Sequence, residues 1–242
     1  MDCPERKGIK MIFRQLFHSE SSTYTYLLGD EVTRETLLID PVLEKTQETL
    51  ELINQLGLTL VLAIDTHTHA DHITGLGALR EQTGCKTMMG RQSLADCLST
   101  TFIDGDEIDI GDINLKVIYS PGHTDDSYSF YAPKHGMLFS GDTLLIRGTG
   151  RTDFQNGNAH AQYDSLYERL LTLPEDTTLY PGHDYKGWMS STLKEEKQHN
   201  PRLQLADKKS YADFMMNLQL PNPKLMDIAV PANQSCGKIP DE

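Results

Sequence analysis

Short apolar runs separated by polar turns dominate the first forty residues: "MIFRQLF" (11–17), "TYTYLLG" (23–29) and "ETLLIDP" (35–41), the last closed by Pro41. Runs of this length with β-branched and aromatic residues predict strands. Leu50, Ile53 and Leu56 then recur at helical spacing before Gly57, which supplies a stop. The run "LTLVLAID" (58–65) predicts a further strand, and Ile73, Leu76 and Leu79 predict a helix over 71–83. Strand-like pieces follow in "GDEIDI", "INLKVIYS", "SYSFYA" and "GMLFS". Tyr163, Leu166, Tyr167, Leu170 and Leu171 fall at i, i+3, i+4, i+7 and i+8, and Pro174 ends that helix. Hairpin-like pairs mixed with helical crossovers predict an α/β sandwich with mixed sheets. No repeat or linker divides the chain, so one domain over 1–242 is expected. Residues 205–242, the least regular part, should wrap its surface, because "LPNPKLMDIAVPANQSCGKIPDE" carries four prolines.

Composition narrows the classes. The chain has 242 residues and a formal net charge of -13, which disfavours nucleic acid and anionic membrane surfaces as partners. Apolar runs fall short of the roughly 20 residues of a membrane helix. The opening "MDCPERKGIK" lacks the apolar core of a secretory signal, and a cytoplasmic location is the expectation. Cys3, Cys85, Cys97 and Cys236 show no C-x-x-C spacing, so reduced thiols are expected and Cys236 reads as an inert buried thiol.

The chemistry is concentrated in "DTHTHADHITG", residues 65–75. A lone histidine is ordinarily a satisfied polar side chain. Three histidines and two aspartates within eight positions, directly after an apolar strand, are a donor set for a first-row metal. Three later segments add donors in the same setting, each beside a glycine after an apolar run: His123 in "SPGHTDDS", Asp142 in "LFSGDTLL" and His183 in "LYPGHDY". Seven donors suit one metal or two, and counting them does not choose.

The ordered set His67-x-His69-x-Asp71-His72, His123, Asp142 and His183 resembles the metallo-β-lactamase superfamily, which implies an αββα sandwich with a metal site at one edge. The flanking "FRQLF", "YTYLLGD", "LLIDPVLE", "LLIRGTGRTDFQNG", "YPGHDY", "NPRL" and "AVPANQSCG" are similar to its persulfide dioxygenase branch, the ethylmalonic encephalopathy protein-like family, over about residues 13–237. The resemblance implies one Fe(II) per chain held by His67, His123 and Asp142, with positions open for a persulfide sulfur and O2. It implies that His69, Asp71, His72 and His183 orient ligands and water without binding a second metal. Glutathione persulfide as substrate, sulfite and glutathione as products, a separate sulfurtransferase (rhodanese) partner and a homodimer are likewise implied.

Glutathione carries two carboxylates, so an acidic protein must gather cations to hold it. Arg147, Arg151, Tyr185 and Lys186 are the expected contacts, although Arg151 has a local carboxylate in Asp153. One departure from the wider superfamily is visible. Many members read G-H-T-P-G where this chain has Gly122-His123-Thr124-Asp125-Asp126, and Asp126 is expected to face solvent. Two other functions share the donor set: a glyoxalase II-like dinuclear thioester hydrolase, and a noncatalytic persulfide or metal sensor.

Overall fold

The computed structural model describes residues 11–221 and 225–238. One sheet holds β1 (Met11–His18), β2 (Thr23–Asp30), β3 (Glu35–Ile39), β4 (Thr59–Ile64), β5 (Lys86–Gly90) and β6 (Thr100–Phe102), in that order. Its first three strands pair antiparallel and the rest parallel. The second sheet runs from β7 (Glu107–Ile110) through β8 (Ile113–Tyr119), β9 (Tyr128–Ala132), β10 (Met137–Phe139) and β11 (Thr178–Tyr180) to β12 (Ser191–Thr192). Only β10 and β11 pair parallel there. The helices are α1 (Thr46–Gln55), α2 (Leu76–Thr83), α3 (Ala159–Asp164), α4 (Leu193–His199), α5 (Lys208–Met216) and α6 (Met226–Gln234). None of them is long and apolar enough to cross a membrane.

Three apolar layers hold this αββα sandwich together. Between the sheets, Tyr26, Leu28, Leu37 and Ile39 meet Phe130 and Phe139. On the outer face of the first sheet, Leu27, Leu38 and Ala63 pack with Ile53, Leu76 and Leu79 of α1 and α2. On the outer face of the second, Tyr131, Leu138 and Leu179 pack with Leu166, Leu170 and Tyr211. The period-two alternation of side chains explains why β2 is buried at every position: Tyr26 and Leu28 serve one layer and Leu27 the other.

The structure departs from the sequence expectations at four places. The helix expected over 71–83 begins only at Leu76, with Gly75 as its N-cap. The preceding backbone is engaged elsewhere: Gly75 N–H donates to the Pro41 carbonyl and Leu43 N–H to that of Ile73. The run 159–172 is helical but not uniform, since α3 continues through a π turn at Ser165–Arg169 and a 3-10 turn at Leu170–Thr172. The region after residue 205 is more regular than its prolines suggest, with α5 burying Tyr211, Ala212 and Met215 and α6 enclosing Pro231. Finally, Cys97 and Cys236 form a disulfide, contrary to the reduced thiols expected; a separation of 139 residues left no spacing signal in the chain. Cys85 is a free, buried thiol, and Cys3 lies outside the described residues.

Phe139 is fully buried and packs its ring against Tyr26 and Tyr180, at centroid distances of 5.0 and 5.5 Å. Phe139→Ala should cost about 3–5 kcal/mol and lower Tm by roughly 10 °C, read by calorimetry. An unchanged Tm would remove this ring from the contact that joins the sheets.

Candidate metal centre

All the donors gather at one end of the sandwich because the strands that deliver them point the same way. His67 follows β4, His123 follows β8, Asp142 follows β10 and His183 follows β11. Two of the turns require glycine. Gly122 has φ 139, and a Cβ on it would lie 2.3 Å from Gln162; a Cβ on Gly150 would lie 2.3 Å from the Asp142 carbonyl oxygen. The two sheets are tied together at this edge as well: Tyr24 N–H donates to the Gly182 carbonyl (2.8 Å) and Asp184 N–H to that of Ser22 (3.1 Å), placing Thr23 beside His183.

His67, His123 and Asp142 each offer one ligand atom, and the three atoms lie within 4.8 Å of one another. The hydrogen bonds around them set which atoms are free. Asp40 accepts from Thr66 N–H (2.7 Å) and from the Thr66 hydroxyl (3.0 Å). The hydroxyl proton being used, Thr66 Oγ1 accepts from His67 Nδ1 (2.9 Å), which leaves Nε2 as the lone pair. His123 Nδ1 donates to the Arg151 carbonyl (2.8 Å), so in the neutral ring Nε2 is the free nitrogen, and it faces Asp142 Oδ2 at 3.6 Å. Two bare acceptors and a carboxylate oxygen converging on one point repel each other unless a cation lies between them. The donor set therefore fits a metal with three protein ligands, two imidazoles and one carboxylate, the pattern of non-haem Fe(II) sites.

Electrostatics sort the histidines. Burial holds His67 well below the ordinary imidazole range, helped by the neighbouring His69 and His123 rings, so it is neutral and can ligate. His183 is different. Despite burial, the Asp142 and Asp71 carboxylates raise it well above that range, and it donates from Nδ1 to Asp142 Oδ1 (2.7 Å) and from Nε2 to Asp71 Oδ2 (2.8 Å). His69 is also raised, to about 9: burial pulls it down, but the Asp40, Asp65 and Asp71 carboxylates together outweigh it, and its Nε2 faces Asp40 Oδ1 at 3.2 Å. With a carboxylate on each ring nitrogen, His183 has no lone pair to offer, whereas His69 Nδ1 has no hydrogen-bond partner. His72 Nδ1 bonds Asp71 Oδ2 at 3.0 Å, and Thr23 Oγ1 donates to the same oxygen at 3.0 Å.

Asp71 and His72 lie in the loop before α2 and not on the helix. Asp126, expected in solvent, is buried: it accepts from Thr68 N–H (2.9 Å), the Thr68 hydroxyl (2.6 Å) and the Thr124 hydroxyl. It thus fixes Thr68 as Asp40 fixes Thr66 in the same loop, while Asp125 is exposed.

A cavity of about 540 Å³ opens over the centre, floored by Asp71, His123, Asp142 and His183. Arg147, Arg151, Tyr185 and Lys186 all line it, as does Arg202, which sequence reasoning missed. The arginines differ in what they touch. Arg147 pairs with Glu195 and the buried Glu196. Arg151 forks onto Asp153 (2.7 and 2.8 Å), donates to the Pro221 carbonyl and lies over Phe154. Arg202 donates only to the Thr149 carbonyl and hydroxyl, and no carboxylate pairs with it among the described residues. Tyr185, 74% exposed, stacks over His183, and Lys186 lies over the Trp188 ring.

Residues 19–183 match the model of the Metallo-beta-lactamase superfamily. The human protein named persulfide dioxygenase ETHE1, mitochondrial, is 48% identical over 231 residues, 95% of this chain and 90% of its own length. The chain belongs to the persulfide dioxygenase branch of the metallo-beta-lactamase superfamily. A crystal structure of ETHE1 from Myxococcus xanthus, 53% identical, superposes with a TM-score of 0.92 over 94% of this chain and 100% of that one. Within the superfamily, a hydroxyacylglutathione hydrolase of Rhodospirillum rubrum is 33% identical, over 68% of this chain and 63% of its own length.

Asp40→Ala should weaken retention of a loaded divalent metal by about 10- to 100-fold in a chelator competition, by unseating Thr66 and with it the His67 ring. Asp40→Asn, which keeps an acceptor for Thr66 N–H, should lose less. Equal retention in both variants and the wild type would take Asp40 out of the metal site.

Proposed function

We propose that this protein oxidises glutathione persulfide with O2 to sulfite and glutathione, using one Fe(II) per chain. The observation that carries the reading is the pair of oriented imidazoles, His67 and His123, converging with Asp142, in a chain 48% identical to a persulfide dioxygenase over nearly its whole length. When bound, the iron supplies sites at which a sulfur and O2 are brought together and electrons pass between them.

The protein's own groups do the rest. Thr66 and the Arg151 carbonyl hold the two ligand rings in the tautomer that exposes Nε2. His183 fixes Asp142 through Oδ1, leaving Oδ2 to face the centre, and Asp71 with Thr23 holds His183 from its other nitrogen. The cavity walls supply charge. Arg147 and Arg151 are already matched to carboxylates of the chain, so Arg202 and Lys186 carry most of the attraction for the glutathione carboxylates, with Tyr185 over the mouth. A separate sulfurtransferase that delivers the persulfide, and a homodimer, belong to this reading through the family resemblance.

The glyoxalase II-like alternative rests on the same donors used for two metals, and His69 Nδ1 and His72 Nε2 are buried ring nitrogens without a hydrogen-bond partner. Iron content and reaction separate the two. The Fe(II)-loaded protein should hold one iron per chain and consume O2 with glutathione persulfide, forming sulfite. Two metals per chain with cleavage of a glutathione thioester in the absence of O2 would move the protein to the hydrolase function. Arg202→Met should raise KM for the persulfide about tenfold or more with kcat little changed, because a charge-assisted contact is lost; an unchanged KM would remove Arg202 from the binding wall.

A further inference from the structure

The metal-bearing loop is held from a part of the chain far away in sequence. Asn233, on α6 and fully buried, donates from Nδ2 to the carbonyls of His69 and His72, both at 2.9 Å, and accepts from Thr74 N–H at 2.8 Å. Asp40 and Asp126 fix the first half of that loop; Asn233 fixes the second half. The turn that follows fits against the loop and α2 at backbone distance. Gly77 N–H donates to the Cys236 carbonyl at 3.0 Å, and a Cβ on Gly237 would lie 2.2 Å from the Thr74 carbonyl oxygen. Three residues beyond Asn233, Cys236 is bonded to Cys97, in the segment between β5 and β6.

We propose that residues 233–237 form a redox-dependent clamp on the metal-bearing loop, with Asn233 as its positioning residue and the Cys97–Cys236 disulfide as its latch. The latch opens to a low-molecular-weight thiol, the class to which glutathione belongs. Cys236 is 1% exposed whereas Cys97 is partly exposed, so the thiolate attacks the Cys97 sulfur. The S–S bond breaks, Cys236 leaves as a thiolate and takes a proton, and a second thiol displaces the first as a disulfide. Two thiols are oxidised to one disulfide, and the bridge gains two electrons and two protons. Without the covalent tether the turn opens more often, and the carbonyls of His69 and His72 lose their shared donor. The effect on metal rests on the assignment of His67 as a ligand.

The test uses the full-length Fe(II) protein before and after treatment with glutathione followed by desalting. Three things are read: free thiols in denaturant, hydrogen exchange at the Thr74 amide, and iron retention against a chelator. Reduction should add two thiols per chain, speed Thr74 exchange and weaken iron retention by about 10- to 100-fold. Cys97→Ser should behave like the reduced wild type and respond no further to thiol. Asn233→Asp, which keeps the acceptor for Thr74 but loses both donors, should weaken iron retention and alter the electron paramagnetic resonance spectrum of the iron-nitrosyl adduct, with KM for persulfide unchanged. No gain of thiols on reduction would overturn the latch. A gain of two thiols with Thr74 exchange and iron retention unchanged would overturn the clamp. A wild type that holds no iron would overturn the metal assignment instead, and the thiol count and Thr74 exchange would still decide whether the turn is latched.

Discussion

A single carboxylate, fully buried just past the end of β3, governs the geometry on which the centre depends. Asp40 sits at φ 53, a left-handed conformation that aspartate tolerates better than most residues, and this turns its side chain back toward the end of β4. There it receives the Thr66 amide and hydroxyl and faces His69. A buried carboxylate is costly unless its lone pairs are filled, so the loop after β4 is drawn onto it rather than left to wander. The His67 ring then leans on a hydroxyl whose proton is already committed, and the direction of its metal-facing lone pair is fixed by a residue 27 positions away. The crossover from β3 to β4, the left-handed turn and the ligand tautomer are parts of one arrangement.

How much of this was legible in the sequence depended on the range of the interaction. Alternation and helical spacing are local, and they gave β1 to β4, β7 to β10 and the α1 helix. The apolar run before His183 marked β11 at its tip, whereas β5, β6 and β12 lack a run of alternating apolar residues that would set them apart from their surroundings. The donors were legible because histidine and aspartate beside glycine at strand ends is itself a local signal. The partners that decide their roles were not. Asn233 lies in the family-like run "AVPANQSCG", yet nothing local ties it to the metal loop; Cys97 and Cys236 are separated by most of the chain, and Asp126 looks like surface charge until Thr68 and Thr124 are folded around it. Ile73, Leu76 and Leu79 have helical spacing, yet Asp71 and His72 stay off the helix because side-chain and strand-edge contacts override that pattern.

The charge distribution carries a similar lesson. A chain of net charge -13 cannot attract an anionic substrate by its overall field, and two of its cavity arginines are matched to nearby glutamates and an aspartate. Those pairs stiffen the loop between β10 and α3 that supplies the carbonyl for His123. Arg202, which has no carboxylate partner among the described residues, comes from the region after α4, in the family-like run "NPRL", where nothing local assigned it to the cavity. Positioning and attraction are thus assigned to different arginines of one wall.

His67 is delivered by one sheet and His123 and Asp142 by the other, at the seam where β2 meets the 182–184 segment. Neither half of the sandwich supplies the His67, His123 and Asp142 set by itself. Ligation by these three side chains needs the two sheets docked, so an ion bound there would act as a bolt across the seam. Any motion that parts the sheets at this edge separates the ligands from one another, which makes loss of the metal an early sign of partial unfolding rather than a consequence of complete collapse.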